Sequence, residues 1–186
     1  MTFWANLIGY QIVWFGAVIG ASRGNPWWGV ALSAGFVLIQ AWVSDSRRAD
    51  LRLVAVALYL GMVLDGVLAA SGWALYVTPR PALPMGGAPI WILALWAAFA
   101  MTFNHSLAYL RDRPVMGAAL GFVGGPLAYW GAARGWGAMV FVPPVWRSLT
   151  WLAIGWALAM WVLCRLARRW ERNLRRPSAS ITGGAT

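Results

Sequence analysis

Six long apolar segments, separated by short connectors that carry arginine, dominate this chain. They cover residues 3–21, 26–43, 51–70, 88–110, 115–133 and 146–164. A helix needs about 20 apolar residues to cross the hydrocarbon core of a bilayer, so each segment is long enough to span one. Inside lipid every backbone polar group needs an internal partner, which helices provide. The expected fold class is therefore all-α integral membrane, with six transmembrane helices. Composition agrees: 61% of residues are hydrophobic and 11% are charged, against about 25% charged in ordinary soluble domains. Pro26 and Pro114 open the second and fifth segments, and proline suits a first helical turn.

The connectors alternate in charge. One set holds Arg47, Arg48 and Arg52, then Arg111 and Arg113, then the arginines from Arg165 to Arg176. The other set holds only Arg23, Arg80, Arg134 and Arg147. Arginine-rich connectors stay in the cytoplasm, so both termini are predicted to be cytoplasmic. The net charge of +10 follows from this anchoring, and nucleic acid is not expected as a partner. The opening residues carry no positive run, and the first segment is longer than a signal-peptide core, so it reads as a retained helix. Residues 1–166 are predicted to form the membrane domain. Residues 167–186 form a basic cytoplasmic tail, expected to be disordered after Pro177.

Few residues can carry chemistry. With one histidine and one cysteine in the chain, a Cys/His metal site is excluded, and no cofactor is expected. Asp65 is the one acid well inside a span. An ionised side chain there costs about 2.5–3.5 kcal/mol on insertion scales, which makes it a candidate functional residue. Its expected partners, at a similar outer depth, are Arg23, Arg134, Tyr76 and Tyr129. A buried lock between helices is the alternative reading. His105, with Asn104 and Ser106, lies near the inner end of the fourth segment, and Asn6 and Gln40 fall at a similar depth. Together these predict an inner polar cluster that serves hydrogen bonding, or a general base at His105. With a rise of about 1.5 Å per residue, Asp65 and His105 stand roughly 13 Å apart along the membrane normal, too far for a dyad. Gly117, Gly121 and Gly125, and likewise Gly16 and Gly20, recur every four residues and predict close helix packing. No nucleophile elbow, phosphate loop or paired carboxylate is present, so catalytic residues are unassigned and an enzyme is disfavoured.

"FNHSLAYL" (103–110), "PIWILALWAAFA" (89–100) and "GAALGFVGGPLAYWGAAR" (117–134) carry a resemblance. So do "NLIGYQIVWFGAVIGASRGNPWWG" (6–29) and "RRADLRLVAVALYLGMVLDGVL" (47–68). Through these segments the chain resembles a family of bacterial inner-membrane proteins, a domain of unknown function. That family is often encoded near cyclopropane-fatty-acid-synthase-like genes. The resemblance implies a multi-pass protein that binds, moves or assists modification of a lipid-like molecule. Its implied partners are membrane lipids and lipid-modifying enzymes. Two alternatives stand beside this expectation. One is a membrane enzyme acting on a lipid or isoprenoid, with Asp65 or His105 as acid or base; the other is a structural partner subunit.

Overall fold

The structure, a computed structural model, describes residues 3–175. The expected disorder after Pro177 lies outside the described residues. Six α-helices account for most of the described chain: α1 (Phe3–Ser22), α2 (Trp27–Val43), α3 (Arg47–Ala70), α4 (Ile90–Ala100), α5 (Pro114–Arg134) and α6 (Val145–Arg175). Four of them, α1, α3, α5 and α6, are long and apolar enough to cross a membrane. The helices α2 and α4 are apolar but shorter. Helix α6 is continuous through Leu166, so the basic extension prolongs the last apolar helix.

The fourth segment departs from expectation. It was predicted to be helical over 88–110, yet α4 stops at Ala100. The chain then turns irregularly to a single 3-10 turn at Ala108–Leu110. The cause is local chemistry. The Thr102 hydroxyl donates back to the Phe99 carbonyl at 2.6 Å, and the Leu107 N–H closes onto the Thr102 carbonyl at 2.8 Å. Short polar side chains compete in this way with the helical ladder. Backbone that leaves the helical ladder must find other partners when buried, and Met101, Thr102 and Phe103 are buried. Helix α4 itself is covered on every side, with Trp91, Ile92, Leu93, Leu95, Trp96, Ala98 and Ala100 all buried. A helix apolar all round belongs in the interior. Helix α4 packs against α1, α2 and α3.

The fold is also not purely helical. Short strands β1 (Ala74–Tyr76), β2 (Ala82–Leu83), β3 (Ala88–Pro89) and β4 (Met139–Phe141) cap one end of the bundle. β1 pairs antiparallel with β4, setting Leu75 opposite Val140, and β2 pairs with β3. The prolines of 77–89 prevent a helix there, and paired strands satisfy part of the backbone instead. The Thr78 hydroxyl donates to the Ala21 carbonyl, and the Trp91 indole N–H donates to the Thr78 carbonyl. These bonds fasten the cap to the ends of α1 and α4. The opposite end is rich in arginine. There Arg111 pairs with Glu171 at 2.7 Å and Arg168 with Asp112 at 3.1 Å, while Arg52 lies over Trp170. The start of α3, the entry to α5 and the far part of α6 therefore share one end.

The glycine rows lie in helix seams. A Cβ on Gly117 would meet Cys164, and one on Gly121 or Gly125 would meet Trp156 of α6. In the seam between α1 and α2, Gly16 faces Leu32 and Gly20 faces Trp28. Overpacking such a contact costs about 1–3 kcal/mol. Gly121→Val and Gly125→Val are therefore expected to lower the thermal midpoint of the detergent-solubilised protein. Gly131→Ala, where a Cβ meets nothing within 4 Å, leaves the midpoint unchanged or raises it.

Candidate functional site

Asp65 is fully buried, and three neutral donors converge on it. Its Oδ1 accepts from the Tyr129 hydroxyl at 2.6 Å and from the Tyr76 hydroxyl at 3.1 Å. Its Oδ2 accepts from the Trp96 indole N–H at 2.8 Å. The sequence explains the approach of Trp96, because Gly61, one turn before Asp65, leaves the space that the indole ring fills. The carboxylate thus joins α3, β1, α4 and α5. Hydrogen bonds to an ionised acceptor are shorter and stronger than neutral ones, and here they offset the cost of burial.

Arg23 and Arg134, expected beside Asp65, are not among its partners. Both are exposed, and Arg134 lies over the Trp130 ring at 5.0 Å. A long guanidinium side chain at a helix end extends toward water and leaves the interior to shorter donors.

A second polar station lies at the arginine-rich end, and its centre is Asp50, which the sequence reading placed in a connector. Asp50 is fully buried in the first turn of α3. It accepts from Asn104 Nδ2 at 2.6 Å and from the hydroxyls of Ser44 and Ser46. Arg111 donates to Asn104 Oδ1 at 3.2 Å. His105 Nε2 stands 3.7 Å from Asp50 Oδ2 and has no hydrogen-bond partner. That separation suits an ion pair but exceeds a direct hydrogen bond. The acid beside His105 is therefore Asp50. Asp65 lies fifteen residues further along the same helix, about 22 Å away at helical rise.

The expected inner cluster divides. Asn6 Oδ1 accepts from both the hydroxyl and the backbone N–H of Ser106, at 2.5 and 3.3 Å, and Asn6 Nδ2 donates to the Met101 carbonyl. These bonds hold the irregular turn against α1. Gln40 stands apart: it is fully buried and neither atom of its amide has a partner among the described residues. Asp50 was legible in one respect. It is a lone acid among Arg47, Arg48 and Arg52, where a first-turn carboxylate stabilises a helix N-terminus.

Tyr129 and Trp96 have a second face. With residues of α1, α4, α5 and α6 they wall a cavity of about 660 Å³ that has α1 on one side and α5 on another. Its lining is mostly apolar and strongly aromatic, including Tyr10, Trp14, Trp91, Phe99 and Trp156. Leu107 and Leu110, from the turn that carries His105, close one end; Met139 of β4 closes the other. Trp156 stacks on Trp96 with ring centroids 4.3 Å apart. Gly121, Gly124 and Gly125 keep the α5 wall open. Volumes of about 300–1,000 Å³ with apolar walls and a few polar groups are usual for small-molecule sites. Among the described residues no group of three or more His, Cys, Asp or Glu side chains is placed to hold a metal ion.

Helices of membrane-spanning length, a capped bundle and an apolar lateral cavity define a helical membrane protein. The chain belongs to the family described as "Protein of unknown function (DUF2878)", which matches residues 3–162. Comparison with curated proteins and with solved structures gave no match.

Removing the Asp65 acceptor leaves three buried donors unpaired, each costing about 1–3 kcal/mol. Asp65→Leu is expected to lower the thermal midpoint sharply. Asp65→Asn retains one acceptor oxygen for the two tyrosines and loses less. Equal losses in thermal unfolding would contradict this account of the carboxylate.

Proposed function

We propose that this chain is a multi-pass protein of a bacterial inner membrane that holds a lipid-like molecule between α1 and α5. It moves that molecule or presents it to lipid-modifying enzymes. One observation carries the reading: the aromatic, apolar cavity between α1 and α5. In a bilayer such a cleft faces acyl chains, and aromatic side chains give a long ligand extensive contact area. The Asp65 cluster supports the reading because it fixes Tyr129 and Trp96, two residues of the cavity wall, in one orientation.

In this reading six segments cross the membrane. The fourth crosses as α4 followed by the irregular turn and the 3-10 turn, a discontinuous span of the kind found beside substrate sites in transporters. The arginine-rich end faces the cytoplasm. It is the end where the start of α1, through Asn6 and Ser106, meets the turn bearing Arg111, and where α6 finishes. Cysteine labelling tests this topology cleanly, because Cys164 is buried. In intact cells Leu83→Cys is expected to react with a membrane-impermeant maleimide, and Asp45→Cys only after permeabilisation. The reverse pattern overturns the orientation.

The lipid itself is tested by extraction. Protein purified in mild detergent is expected to retain about one lipid per chain. Retention no higher than for an unrelated membrane protein of similar size would contradict the reading. A second reading, an enzyme using His105 as acid or base, is favoured by the unpartnered Nε2 facing Asp50. The two readings share a structural link, since Leu107 and Leu110 follow His105 into the cavity lining.

A further inference from the structure

The reading of the α1–α5 cavity as a lipid site leaves the charge of the occupant open, and the chemistry of the walls addresses it. The chain carries fifteen arginines, yet among the described residues no arginine, aspartate, glutamate or histidine lines the cavity. A site for an anionic headgroup places guanidinium donors on it, commonly in bidentate geometry. Here the arginines nearest in sequence to the lining are committed elsewhere: Arg111 to Glu171 and Asn104, and Arg134 to the Trp130 ring.

The polar groups that do face the cavity are uncharged. On α1 these are Tyr10 and Gln11, and on α6 the indole of Trp156, whose N–H has no hydrogen-bond partner among the described residues. On α5 the group is Tyr129. Its hydroxyl already donates to Asp65, so toward a ligand its oxygen can only accept. Directly behind Tyr129 and Trp96 lies a buried carboxylate whose described partners are all neutral. At this depth a negative charge in the cavity would lose its hydration, and among the described residues no guanidinium lines the cavity to replace it. From Leu120 to Ala132 of the α5 wall is about 18 Å at helical rise. That length suits a chain, with Tyr129 offered to a hydroxyl and Tyr10 to a hydroxyl or carbonyl.

We propose that the cavity takes an electrically neutral amphiphile, a hydroxyl- or ester-bearing lipid such as a diacylglycerol or a polyprenol, in preference to an anionic phospholipid. The proposal rests on the lipid-site reading, and one experiment separates the two. The full chain is delipidated in detergent, and binding of dioleoylglycerol, a polyprenol and phosphatidylglycerol is measured by native mass spectrometry. The same is done for Gly124→Leu. Gly124 lines the cavity and a Cβ there meets nothing within 4 Å, so leucine fills the site without displacing a neighbour. Its thermal midpoint should match that of the parent chain.

The expected result is binding of a neutral lipid at least about tenfold tighter than phosphatidylglycerol, a difference of about 1.4 kcal/mol, with that binding lost in Gly124→Leu. Phosphatidylglycerol binding equally well or better, and lost in Gly124→Leu, overturns the neutral-ligand proposal and leaves the lipid site standing. Binding of neither class, or binding unchanged in Gly124→Leu, overturns the lipid-site reading itself.

Discussion

The carboxylate of Asp65 is the point through which the strand-capped half of the bundle is organised. Three donors from three different elements, Tyr76, Trp96 and Tyr129, end on its two oxygens. Without that acceptor, β1, α4 and α5 would each bury a polar group with nowhere to direct it, at a cost of a few kcal/mol. With it, the indole of Trp96 is held against Gly61 and stacked on Trp156, and the phenol of Tyr129 is fixed in the cavity wall. The site is therefore preorganised by a carboxyl group that does not itself line it.

The broad outline was legible because apolar length and arginine position are one-dimensional properties. All six apolar segments contain helix, and the glycine rows of α1 and α5 lie in seams. What the residues concealed was context. Leu51 looked like the start of the third segment because Arg47 and Arg48 precede it, yet the helix begins at Arg47 and buries Asp50 beneath the serines that follow α2. The fourth segment read as continuous because residues 88–100 are strongly apolar. Thr102 ends the helix by bonding back to the Phe99 carbonyl, while Asn104 and Ser106 bond to side chains brought near only by folding. Arg23 and Arg134 had suitable depth to reach Asp65, but their side chains run outward, whereas Tyr76 and Tyr129 are shorter, rigid and already inside.

The irregular turn after α4 connects the two polar stations without merging them. Asn6 and Ser106 hold it to α1, Asn104 holds it to Asp50 with His105 alongside, and Leu107 and Leu110 form one end of the cavity. A change in the turn would reach the cavity through contiguous chain, and a ligand pressing on Leu107 would be felt two residues away at His105. The apolar cavity, the neutral donors and the arginine-rich end form a consistent arrangement. Among the described residues, charge lies at the two ends of the bundle and in sealed interior positions, and the cavity wall carries none.

The most direct measurement is an experimental density map of the full chain in lipid nanodiscs. The account predicts elongated density between α1 and α5, running from Leu107 to Met139 beside Tyr129 and Trp156. A map in which α1 closes onto α5, with Trp14 packed directly against Gly124 and no density between them, would contradict it.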